Sequence, residues 1–369
     1  MSTLDNASLI VVCGSGGVGK TTISAALGVR AALRDGKKVL VLTVDPARRL
    51  ADALGLVEIG NKVVQVNLGD SSGELHIGMI DTKASWDDLV VRVAPSPDVA
   101  TKVTGNSLYR NLTERFVHSH DYIAMERLFD AHERGGYDLV VVDTPPSRNA
   151  IDVLDAPQRM LDFFGSKLLK FLTVPTRSFV SSLAAKPFFL VANRILGAGF
   201  LGEITDFFTL FRTMEKGFVE RNKRVMEVLR SNATSFVVVT TLENGPLHEA
   251  RFLLSALRER NFSIGAVVAN RAIDPLVADE VERVLGVNDQ RAMEEVAAQL
   301  LGSDGERATT IVETVRRHAS EMVGNARVQR ERLMTLGSAA EVDQVWLSPL
   351  RGEDITDLEQ LRSIEFRPV

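Results

Sequence analysis

Cysteine is nearly absent: Cys13 is the only one in 369 residues. A single thiol excludes a disulfide framework, an all-thiolate zinc site and a cluster held by several thiolates of this chain alone. Aromatic residues are scarce at 6%, and they are lopsided, with 17 Phe against two Trp and three Tyr. No run supplies the roughly 18 uncharged apolar residues of a membrane-spanning helix. The nearest, Pro187 to Gly202, is broken by Asn193 and Arg194. Neither charge dominates: 43 Lys+Arg against 48 Asp+Glu give −5, which argues against a genome-coating partner of nucleic acid. The opening residues Met1 to Val12 carry acid and no basic stretch, unlike a signal peptide, so a cytoplasmic location is expected. What remains is 45% hydrophobic and 25% charged, an ordinary globular balance.

Apolar runs rich in β-branched residues recur at Leu9–Cys13, Val39–Val44, Leu139–Val142, Phe236–Thr240, Ala266–Ala269 and Val345–Leu347. Continuous rather than alternating Val/Ile/Leu suits a parallel sheet buried on both faces. Between the first two runs, Thr21 to Leu33 reads as a crossover helix that is apolar almost all round, ended by Gly36 as a left-handed cap. The strand–helix–strand order predicts an α/β fold with a doubly wound, mostly parallel sheet.

One stretch departs from this pattern. From Phe163 to Gly202 there is no Asp or Glu in 40 residues, and 11 of the 17 Phe lie between Met160 and Phe218. Ile204, Phe207, Phe208, Phe211, Met214 and Phe218 fall on one helical face. The expected organisation is therefore an α/β domain of residues 1–154 and 233–369, interrupted by a Phe-rich helical insertion at 155–232. Helices around 84–133 are candidate contributors to that insertion. Its apolar stripe suits either core or a groove.

The strongest motif is Gly14-Ser15-Gly16-Gly17-Val18-Gly19-Lys20-Thr21, which satisfies G-x-x-x-x-G-K-[ST] between a strand and a helix. Glycines let successive N–H groups turn inward on phosphate oxygens, and the helix beginning near Lys20 adds its positive end, with Thr22 also among the nucleotide-binding residues. Lys20 is placed to reach the β- and γ-phosphates, and the Thr21 hydroxyl to ligate Mg²⁺. Asp143 closes the strand Val140–Val142, where this fold keeps the carboxylate that holds Mg²⁺ through water. Asp45, in Thr43-Val44-Asp45-Pro46-Ala47, suits either a turn before proline or the orienting of an attacking water.

Together these motifs resemble one family, the ATPases of the arsenite-pump and tail-anchored-protein-targeting group, P-loop ATPases with a deviant phosphate loop. The likeness rests on CGSGGVGKTT at 13–22, TVDPARRLADALG at 43–55, VVVDTPPSRNA at 140–150 and VVANR at 267–271. It implies ATP and ADP with Mg²⁺ as ligands, Asp45 as the water-orienting residue and Thr144 to Arg148 as a nucleotide-sensing switch. It also implies Asn270 as an adenine contact, and Pro349 and Leu350 as part of a loop over the base. Family members work as dimers whose closure reshapes a helical subdomain. In the targeting members this captures a client's hydrophobic tail, with transient proximity to a membrane.

Two departures from the family pattern stand out. Deviant loops carry a second Lys that reaches the partner's site, and here that position is Ser15. The resemblance then implies either slow hydrolysis by a homodimer or a Lys-bearing paralogue as partner. The alternative function is a nucleotide-binding scaffold with negligible hydrolysis. Secondly, the thiolates of a metalloid site or a dimer zinc are lacking, so neither zinc nor an iron–sulfur cluster is expected.

Overall fold

The computed structural model describes residues 4, 6–44, 63–115, 117–145, 147–167, 169, 198–286, 290–301, 305–340 and 344–369. Asp45, the Pro146 position of the switch and the stretch 170–197 lie outside the described residues.

Among the described residues nine strands form one sheet: β1 (Leu9–Gly14), β2 (Lys38–Thr43), β3 (Val64–Val66), β4 (Glu74–Met79), β5 (Leu139–Asp143), β6 (Thr234–Thr240), β7 (Ile264–Ala272), β8 (Val345–Pro349) and β9 (Arg367–Pro368). Their order is β3-β4-β2-β5-β1-β6-β7-β8-β9. The seven inner strands run parallel, and only the edge strands β3 and β9 pair antiparallel. The six strands expected from sequence are all present in this fold. β1, β5 and β6 are buried at every position, which is why they read as unbroken apolar runs.

The crossover helix α1 (Lys20–Asp35) ends at Gly36, which is left-handed with φ 63°. It packs on one face of the sheet, where Ile23, Val29, Val39, Val41 and Val239 share a core. The opposite face is covered by α5 (Val117–Arg134), α6 (Ser147–Gly165), α8 (Glu215–Arg230), α9 (Asn244–Glu259) and α12 (Gly305–Ala340).

A third core stands beyond the sheet. It joins α2 (Thr82–Val93), α3 (Pro97–Thr104), α4 (Ser107–Arg115) and α7 (Ala198–Thr213) to α5, α6 and α8. Phe207, Phe211, Met214 and Phe218 are buried inside it, and Phe208 packs at its edge. In this structure four of the stripe's six residues are core, and Phe208 borders it. α5, α6 and α8 each give residues both to this core and to the sheet's own. The boundary drawn at 154/155 falls within α6.

Three further helices complete the described chain: α10 (Pro275–Gly286), α11 (Gln290–Leu301) and α13 (Leu358–Arg362). Among the described residues no helix is long and apolar enough to cross a membrane.

Candidate functional site

Because the inner strands are parallel, their carboxyl ends share one edge, and at β1 the chain turns to opposite sides of the sheet. That edge is where an α/β sheet opens a crevice for ligands. β1 delivers the phosphate loop, β2 delivers Thr43, β5 delivers Asp143, β7 delivers Asn270 and β8 delivers Pro349. A cleft of about 800 Å³ lies there, and Gly17, Gly19, Lys20, Thr21, Thr22, Asp143, Asn270, Pro349 and Leu350 all line it.

The loop's backbone has the conformation its glycines permit. Gly17 and Gly19 adopt φ 80° and 92°, and Gly19 caps α1 without any side-chain hydrogen bond. The first turn of α1 contains no acid, so its positive end faces the cleft uncompensated from within the helix. A Cβ on Gly14 would lie 2.1 Å from the Val239 carbonyl oxygen, and one on Gly19 would lie 2.3 Å from Asn270 Nδ2. Neighbouring strands therefore close on the loop too tightly for larger residues. Val18 is buried behind it, and Gly16 is exposed.

Lys20 is only 8% exposed, and its Nζ donates to the Ser15 carbonyl oxygen at 2.9 Å. The ammonium is thus folded back along its own loop. Ser15 is itself 7% exposed, so its side chain lies within the fold. The Thr21 hydroxyl donates to Asp143 Oδ2 at 2.7 Å, and the Thr43 hydroxyl donates to the same oxygen at 3.2 Å. Asn270 Nδ2 donates to the Val18 carbonyl at 2.8 Å, tying the end of β7 to the phosphate loop. Thr144 donates from both its amide and its hydroxyl to the Val12 carbonyl, at 3.2 and 2.8 Å. Cys13, just before the loop, is fully buried, and that burial pushes its thiol up to about 12. It is a packing residue and not a nucleophile.

The hydroxyl of Thr21 and the carboxylate of Asp143 are hard oxygen donors, the chemistry that Mg²⁺ takes. Lys20, the loop amides and the end of α1 supply positive charge for phosphates. Asp45 lies outside the described residues. The cleft also includes Arg271, Arg351, Glu353, Asp354 and Ile355, which the motif reading did not single out. Their signal was positional, because Arg271 follows Asn270 and the others follow Pro349 and Leu350. Thr43 was visible only as the first letter of its motif.

The sequence matches the family described as anion-transporting ATPase over residues 7–330. An ATPase ASNA1 homolog of Plasmodium berghei is 26% identical over 281 residues, which is 75% of this chain and 66% of that protein. An ATPase ASNA1 homolog of Entamoeba dispar is 25% identical over 271 residues, covering 72% of this chain and 76% of the relative. An ATPase GET3 of Malassezia globosa is 28% identical over 289 residues, covering 76% and 77%. The chain thus spans about two thirds of the length of the Plasmodium protein. With the match running through most of its length, and the loop, sheet edge and cleft of a P-loop ATPase in place, the chain belongs to the anion-transporting ATPase family.

Proposed function

We propose that this chain binds ATP with Mg²⁺ in the cleft, hydrolyses it, and couples the nucleotide state to capture and release of a hydrophobic client segment. The observation that carries the nucleotide reading is the convergence of Lys20, Thr21 and Asp143 on one cleft at the start of α1. Relatives named as ATPases support it.

In this reading the loop amides and Lys20 hold the β- and γ-phosphates, with Lys20 leaving the Ser15 carbonyl to meet them. Thr21 holds Mg²⁺ directly and Asp143 holds it through water, and the ion when bound would neutralise phosphate charge. Asp45 orients the attacking water, Asn270 with Pro349 and Leu350 surrounds the base, and Thr144 to Arg148 respond to the nucleotide. The route outward is α6, which starts four residues beyond Asp143 in the sequence and ends in the Phe-rich core. The client reading rests on the resemblance to targeting ATPases and on the acid-free stretch from Phe163 to Gly202. The same resemblance supports a dimer, with itself or with a Lys-bearing paralogue.

Lys20→Ala tests the site. It should abolish most binding of a fluorescent ATP analogue, because the phosphates lose their nearest ammonium. Wild-type affinity in that variant would overturn the assignment. Ser15 favours a second reading, a nucleotide-bound scaffold with negligible turnover. Multiple-turnover measurements with Asp45→Asn as control separate the two.

A further inference from the structure

Asp143 is 1% exposed and Thr43 is 2% exposed. The two residues sit opposite each other in the parallel ladder of β2 and β5, and the Val44 amide donates to the Asp143 carbonyl at 3.3 Å. One carboxylate oxygen, Oδ2, accepts both the Thr21 hydroxyl at 2.7 Å and the Thr43 hydroxyl at 3.2 Å. A carboxylate oxygen has two lone pairs, so these two donors fill Oδ2 and fix the rotation of the group. Thr21 belongs to the phosphate loop's helix and lines the cleft. Thr43 lies on a different strand and does not line the cleft.

We infer that Thr43 is a positioning residue for the metal-binding carboxylate, holding Asp143 in the orientation in which it and Thr21 receive Mg²⁺. This rests on the nucleotide-site reading above. The physical ground is that a group meeting the metal through water is itself a supporting group, whose loss typically costs 10- to 100-fold in affinity, and Thr43 holds Asp143 in that place. Thr43 also starts the segment that carries Asp45 two residues later in the sequence.

The test uses the full chain and binding rather than turnover. Thr43→Val, Thr43→Ala and Thr43→Ser are each titrated with a fluorescent ATP analogue, first with a chelator and then across a Mg²⁺ series. Thr43→Val and Thr43→Ala should keep the metal-free affinity and shift the Mg²⁺ midpoint upward about tenfold. Thr43→Ser, which retains the hydroxyl, should restore the wild-type midpoint. A wild-type midpoint in Thr43→Ala, or an equal loss with and without metal, would overturn the inference. Loss of the fold in both hydroxyl-free variants would assign Thr43 to structure alone and overturn it as well. A wild-type chain whose nucleotide affinity ignores Mg²⁺ would instead remove the metal site itself, which separates the two failures.

Discussion

Cys13 and Lys20 flank the same loop and are both buried, for opposite reasons. The Cys13 thiol is neutral and contributes packing at the end of β1, so burial raises its pKa from 9.0 to about 12. Lys20 is held against the Ser15 carbonyl, a partner that an arriving phosphate can replace. The thiol gives a pH prediction whose sign follows from linkage. In the unfolded chain Cys13 releases its proton near 9.0, and in the folded chain it keeps it until about 12. Its contribution to stability is therefore complete below 9.0 and declines as pH rises towards about 12. Denaturant midpoints measured across that range should fall more steeply for the wild type than for Cys13→Ala. Parallel slopes would mean that the thiol ionises in the folded protein.

At the scale of elements, the Phe-rich helices present the sharpest choice that sequence left open. A stripe of Ile204, Phe207, Phe208, Phe211, Met214 and Phe218 has the same periodicity whether it lines a groove or fills a core. The structure places Phe211 against Phe164, with ring centroids 5.4 Å apart and planes nearly parallel, and against Phe218 at 5.3 Å. Phe211→Ala should then cost about 3–5 kcal/mol of unfolding free energy. Phe208→Ser, at the partly exposed edge of the cluster, should cost markedly less. If urea unfolding shows equal losses for the two, the difference in burial does not govern their contribution.

Beside this cluster, Glu126 accepts from the Tyr122 hydroxyl at 2.7 Å and pairs with Arg221, which also meets Asp130. Burial raises the Glu126 pKa, while Arg221 pulls it down. These charges lie on α5 and α8, two of the helices that serve both the sheet's core and the Phe-rich one. Removing either partner would leave the other charge buried and unmatched, at a cost in stability.

What could be read in advance follows burial. β1, β2 and β5 to β8 were legible because strands covered on both faces tolerate almost nothing but Val, Ile, Leu and Phe. β4 was not, since Glu74 and His76 break its apolar run near the sheet's edge. Nor were β3 and β9, with three and two residues, too short to show any period. α10 to α12 bury few side chains along their length, so no long apolar pattern marked them. The phosphate loop was legible for a different reason. Backbone chemistry at Gly17 and Gly19 and charge at Lys20 demand particular residue types in a particular order. Thr43 was hidden because its role depends on a neighbour 100 positions away in sequence.

For the molecule as a whole, the decisive feature is Ser15. Family resemblance assigns that position a Lys that acts across a dimer. Here the side chain is short and turned into the fold, so this chain cannot send an ammonium from that position into another subunit's cleft. Its own cleft, by contrast, keeps Lys20, Thr21 and Asp143 together and so keeps the groups needed to receive help. A cation supplied from another subunit contributes roughly 10³–10⁵ in rate in arginine-finger systems. The purified chain should accordingly bind ATP but turn it over slowly, and a paralogue that carries the Lys should raise the rate of the mixture by at least about a hundredfold. The asymmetry locates the effect. On the proposal that the assisted site belongs to this chain, Lys20→Ala here should abolish the stimulation, whereas the matching change in the paralogue should leave most of it. Turnover by this chain alone that equals the mixture would show that no outside cation is needed. Stimulation that survives Lys20→Ala would place the working site in the partner.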